Sequence, residues 1–226
     1  MKDVIHLFHE RKNEVEIYFE HAKNAWFVDA SLLFTDDIKT KQVVKLSVEL
    51  KQILLANTFL LLYNLVESSI SSAMEEIYKT IKNQKIPYNN VKSNIQEEII
   101  THIRKNVAPN RFVQSINDIA IDILNHHPTS RDFFSGNIDR EVIKDISRRY
   151  GFSTETQAMD TKNGEKLKAI KRNRNDLAHG FVSFKECGQE RGILEMEEIK
   201  NESLLYIEQI LNNIEQFLED KKYLKS

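Results

Sequence analysis

The sequence predicts an all-α fold, a helical bundle built around one long central helix. Three observations carry this. Apolar residues recur at helical spacing in long runs, most clearly Phe59, Leu62, Val66, Ile70, Ala73, Ile77 and Ile81, which step by three and four. Leu, Ile, Glu, Lys and Asn dominate the composition, as in helical proteins. Only 6 Gly and 3 Pro occur in 226 residues, too few for an architecture of many short strands and tight turns. Apolar residues make up 41%, enough for a sizeable core. Residues 1–226 read as a single domain, with no internal repeat, low-complexity tract or interdomain linker.

The elements follow in order. Residues 3–26 place Val4, Phe8, Val15, Tyr18, Ala22 and Trp26 at helical spacing. Residues 41–82 form the long central helix, and its first half is apolar nearly all round, which predicts burial on several sides. Its most apolar run, Ile53–Val66, is 14 residues long and contains Asn57, Thr58 and Asn64. That is short of the ~20 residues a bilayer requires, so a buried core helix is expected and no membrane contact. Pro87 lies in the loop that follows. Two shorter helices are expected over 91–106 (Ile95, Ile99, Ile103) and 112–126 (Val113, Ile116, Ile123), separated by Pro109 and closed by Pro128. After a loop over 128–138, Asp139 caps a short helix that ends before Gly151. Residues 152–163 are polar and expected to be mobile. A helix over 164–179 stops at Gly180, a natural left-handed terminator. Phe181–Leu194 is expected to be irregular or a small hairpin around Cys187-Gly188. A last helix over 196–221 turns Ile199, Ile207, Ile210 or Leu211, Ile214 and Leu218 inward.

Several function classes drop out on composition. The formal net charge is −2, so any nucleic-acid site must be a local basic patch. A single cysteine, Cys187, excludes an intrachain disulfide and a cysteine-based zinc cage, and reads as an incidental thiol in a reducing compartment. Met1–His6 lacks the apolar run of a signal peptide, so a cytoplasmic location is expected. His6 and His9 stand three apart without a carboxylate to complete a ligand set, and His126-His127 point apart at a helix end. No metal site and no cofactor are expected, since neither a glycine-rich phosphate loop nor a dinucleotide fingerprint is present. The acidic last helix (Glu195, Glu197, Glu198, Glu202, Glu208) is a solvated face that keeps a polyanion off that side.

The chemistry concentrates in Arg172-Asn173-Arg174-Asn175-Asp176-Leu177-Ala178-His179-Gly180. Arginine holds phosphate oxygens with a two-pronged fork, and histidine moves protons near neutral pH. At about 100° per residue, Arg172, Asn175 and His179 share one helix face. Arg174 instead falls on the stripe Leu167, Ile170, Arg174, Leu177, where an apolar residue belongs. A guanidinium there needs a carboxylate or a crevice open to a ligand, because an unpaired buried charge is costly. Glu67, beside the apolar stripe of the long helix, is the candidate partner. His179 sits at the helix C-terminus, where the dipole favours the protonated ring. Lys162, Lys166, Lys168, Lys171, Arg172 and Arg174, against Glu165 and Asp176, make this helix a basic approach route for RNA. A polar row, Asn57, Asn64, Ser68 and Ser71, marks either a wetted edge of the long helix or the wall of a cleft shared with the motif helix.

Residues 172–184 resemble the signature of the HEPN superfamily, an arginine followed after four to six residues by histidine. Arg174 to His179 has the four-residue form and Arg172 to His179 the six-residue form. Leu62-Tyr63-Asn64-Leu65-Val66-Glu67-Ser68 and Phe134-Ser135-Gly136-Asn137-Ile138-Asp139 are similar to segments of a bacterial HEPN-like nuclease branch. The resemblance implies a helical bundle that forms a homodimer through its motif-bearing helices, joining two Arg/His pairs at the interface. It implies a metal-independent endoribonuclease of a toxin–antitoxin or antiviral system, with RNA as substrate and a cognate antitoxin or operon partner. In that scheme His179 is the acid and base, Arg174 the phosphate clamp and Asn175 an orienting group. Arg172 is the alternative clamp, and Lys171, Asn64 and Glu67 line the substrate site. The other branch of the resemblance is a non-catalytic module that binds nucleic acid, a nucleotide or a protein.

Overall fold

Helix α2 (Val48–Asn83) is the axis of the protein in the computed structural model, which describes residues 1–27, 30–35, 41–106 and 137–225, with backbone only for 102–106. The other described elements are α1 (Lys2–Phe27), a hairpin of β1 (Ser31–Thr35) and β2 (Lys41–Lys45), α3 (Ser93–Asn106), α4 (Arg140–Tyr150), α5 (Ala158–Thr161), α6 (Leu167–Ala178), α7 (Phe184–Gln189) and α8 (Ile193–Glu219). The protein is therefore mostly helical. The helix expected over 112–126, with Pro109, His126, His127 and Pro128, lies outside the described residues.

The predicted stripe of α2 is its buried face: Phe59, Leu62, Ile70, Ala73, Ile77 and Ile81 are fully buried and Val66 is 2% exposed. Against it pack α1, α6, α7 and α8. By length and composition α2 is apolar enough to cross a membrane, and 56% of its most apolar window is buried among the other helices. The inward residues predicted for the last helix, Ile199, Ile207, Ile210, Leu211, Ile214 and Leu218, all enter the same core. On α1 the buried face is Val4, Phe8, Val15, Phe19, Ala22 and Ala25, not Tyr18 and Trp26. The Tyr18 hydroxyl instead donates to the Leu54 carbonyl at 2.7 Å, so its ring lies at the edge of the α1–α2 seam.

Three expectations are corrected. The central helix does not begin at 41. Ser47 caps it, its hydroxyl accepting from Leu50 N–H at 3.2 Å, and Lys41–Lys45 pairs antiparallel with Ser31–Thr35. The β-branched pair Val43-Val44 suits that ladder better than a helix. Phe181–Leu194 holds no hairpin. Ser183 opens α7 with a reciprocal capping box to Glu186, and Gly188 lets α7 lie against the α2 backbone. Residues 152–163, expected to be mobile, are instead bonded to α8. Thr161 is fully buried and its hydroxyl donates to Gln157 O at 3.0 Å. Gln157 N–H donates to Gln209 Oε1 at 2.7 Å, and Asn213 Nδ2 donates to Glu155 O at 2.8 Å. The segment is strapped onto α8 by side-chain to backbone bonds that periodicity does not report.

The two ends that present the motif are as expected. Asp139 caps α4, accepting from Val142 N–H at 3.1 Å, and Gly151 closes it at φ 91°. Helix α6 ends at His179, followed by Gly180 at φ 69°.

Candidate active site

Arg174 leaves α6 toward α2, not toward solvent. Its side chain is 25% exposed and its guanidinium carbon lies 4.3 Å from the Tyr63 ring centre. Nη2 is 4.0 Å from Glu67 Oε2, so the pairing expected from the apolar stripe is present at long range. Nη1 donates to Asn175 Oδ1 at 2.8 Å, and Asn175 Nδ2 donates in turn to Asn137 Oδ1 at 3.2 Å. An aromatic face, a carboxylate and an amide thus aim one planar fork. Such stacking suits arginine more than lysine, and is worth about 0.5–2 kcal/mol depending on solvent exposure.

Tyr63 and the 137–139 segment complete the setting. The buried Tyr63 hydroxyl accepts from Ile138 N–H at 3.1 Å. Burial pushes that phenol up, and the nearby Glu67 carboxylate adds to it, so it stays protonated and neutral beneath Arg174. Asp139 forms an ion pair with Lys171. Burial alone would raise its carboxyl. The bond from Lys171 and the N–H groups of Val142 and Glu141 outweigh that and hold it below the usual range.

His179 stands apart from this pocket. It is exposed at the C-cap of α6, its ring 5.6 Å from that of Phe181 at 33°. It stands five positions after Arg174, which places the two about 140° apart around the helix. One chain therefore offers its guanidinium sideways and its imidazole at the helix end.

The other predicted residues divide. Asn175 and Glu67 join the Arg174 cluster, and Asn175 orients Arg174. Lys171 is occupied by Asp139. Arg172 is exposed outside the cluster, its Nε 3.6 Å from Asp176 Oδ2, so of the two candidate clamps only Arg174 is held in place. Asn64 is exposed and lines a groove between α1 and α2 whose wall also includes Glu67, Ser68 and Ser71. The polar row thus faces α1, not α6, and Asn57 is outside that lining, bonding the Ile53 carbonyl at 3.0 Å. Sequence reasoning missed Tyr63, Asn137 and the second role of Asp139. All three stand in the segments that carried the family resemblance, and that was their only signal.

The remaining candidates have structural partners. His6 lies 3.4 Å from Glu10 and His9 3.9 Å from Glu208. Cys187 is buried, its thiol pushed up to about 11 by burial and by Glu190, and it donates to Asn173 Oδ1 at 3.5 Å. Among the described residues no group of three His, Cys, Asp or Glu side chains is placed to hold a metal ion.

The described parts of the three resembling segments, far apart in the chain, meet around one arginine. Residues 2–223 match an HEPN-like family. The chain belongs to the HEPN family. This HEPN protein matches no curated protein and no solved structure. The family match extends across all the described helices, so α1 and α8 belong to the HEPN unit together with the motif helix.

Proposed function

We propose that this HEPN protein is a metal-independent endoribonuclease whose active site is completed by a second copy of the chain. HEPN domains are typically RNases. The observation that carries the proposal is the Arg174 fork, held by Tyr63, Glu67 and Asn175 on the helix that ends in an exposed His179.

The chemistry follows from these groups. A neutral imidazole takes the proton from a ribose 2′-OH, and the oxygen attacks the adjacent phosphorus. The bond from phosphorus to the 5′-oxygen breaks, and an imidazolium donates its proton to that leaving oxygen. Arg174 stabilises the charge that builds on the non-bridging oxygens, where a preorganised donor counts most. Two proton transfers suit two histidines, and a two-fold interface between motif helices supplies the second. A toxin or defence effector with a neutralising partner is the biological setting this activity fits. A non-catalytic binding module is the second reading. It is favoured by the fact that Glu67 and Asn175 already occupy part of the Arg174 fork.

Incubating purified protein with mixed RNAs decides between them. Cleavage in the presence of a chelator, lost in both Arg174→Ala and His179→Ala, supports the nuclease. RNA bound but left intact by the wild type supports the binding module.

A further inference from the structure

Helices α1 and α2 enclose a groove of about 660 Å³ beside the Arg174 cluster, lined on its polar side by Arg11, Glu14, Asn64, Glu67, Ser68 and Ser71. We infer that this groove holds the nucleotide flanking the scissile phosphate of a single-stranded RNA. The inference rests on the ribonuclease reading and extends it to a substrate subsite.

Size and unspent polarity carry the argument. The volume lies within the range of small-molecule sites, about 300–1,000 Å³, which suits one nucleotide and not a helix. Ser71 is only 4% exposed, yet no bond among the described residues engages its hydroxyl. Arg11 enters no ion pair among the described residues. Both residues line the groove with hydrogen-bonding capacity unused within the described fold, so they are open to a ligand.

Their chemistry selects the ligand. A guanidinium suits a phosphodiester oxygen. The Asn64 amide offers both donors and an acceptor to a base edge, and the serine hydroxyls suit a ribose 2′-OH. Leu61 and Leu65, also in the lining, give a base apolar surface to lie on. Glu14 and Glu67 can accept from base amino and sugar hydroxyl donors, while Arg11 takes the phosphodiester oxygen. Glu67 lines the groove and also stands 4.0 Å from Arg174, so a strand clamped at Arg174 continues into the groove.

The test is fluorescence anisotropy of a labelled single-stranded RNA and of the same sequence as DNA, with the full chain carrying His179→Ala to prevent cleavage. Arg11→Gln keeps the side-chain stem and removes the charge. It is expected to weaken RNA binding about tenfold and to lower the salt dependence by about one phosphate contact. Asn64→Ala is expected to weaken RNA and DNA alike and Ser71→Ala to weaken RNA more than DNA, both with thermal melts like the parent. Unchanged RNA affinity in all three, with binding still lost in Arg174→Ala, overturns the groove and leaves the ribonuclease reading intact. Wild-type protein that neither binds nor cleaves RNA overturns both.

Discussion

Arg174 lies 4.3 Å over the Tyr63 ring while the hydroxyl of the same tyrosine accepts the Ile138 N–H at 3.1 Å. One side chain therefore ties the motif helix to the start of α4 through the central helix. Tyr63→Phe keeps the ring beneath the guanidinium but leaves the buried Ile138 N–H without its acceptor, a loss of about 1–3 kcal/mol in chemical unfolding. Tyr63→Leu also removes the aromatic face. It is expected to reduce RNA cleavage several-fold more than Tyr63→Phe does, which single-turnover kinetics will show.

Arg174 and His179 diverge within one chain, so the proposed composite site has a genetic test. Each of Arg174→Ala and His179→Ala is expected to lower cleavage by about 10²–10³-fold. Mixed dimers pairing a wild-type chain with a differently tagged His179→Ala chain keep both arginines but only one histidine. Activity in the doubly purified species close to that of the His179→Ala parent, far below half that of the wild type, is the expected outcome. Mixed dimers with half the wild-type activity would sink the shared site.

Asp139 serves two elements at once, capping α4 and holding Lys171 of α6. Its carboxyl is held low in the folded protein, so its stabilising contribution is present above the unfolded value of about 3.9 and fades as pH falls through the lower folded value. Asp139→Ala is expected to lose about 1–2 kcal/mol near neutral pH, chiefly from the cap. Urea titrations should show the gap between wild type and variant closing below about pH 4.

Gly188 is where α7 touches the α2 backbone. A Cβ there would stand 1.9 Å from the Gln52 carbonyl oxygen, whereas at Gly192 it would meet nothing within 4 Å. Gly188→Ala is expected to destabilise by about 3 kcal/mol or more, and Gly192→Ala by under about 1 kcal/mol. Thermal melts of the two variants make the comparison.

The apolar spacing of Phe59 through Ile81, the Asp139 cap and the Gly180 stop belong to the sequence alone, because helical periodicity and end chemistry are local. The same spacing placed Arg174 on a core-facing stripe and so called for Glu67. The hairpin and the strap over 152–163 were not readable in this way. Their stability comes from cross-strand pairing and from bonds such as Gln157 to Gln209, whose partners are distant in the chain.

What distinguishes Arg172 from Arg174 is likewise tertiary. Both satisfy the motif by spacing, yet only Arg174 meets Tyr63, Glu67 and Asn175, while Arg172 faces solvent beside Asp176. Sequence by itself determined which residue types form the candidate site and that they end a helix. Packing decided which guanidinium is held and where it points, because a planar fork is oriented by the groups around it: Tyr63 and Glu67 of the central helix, and Asn175, itself bonded to the distant Asn137.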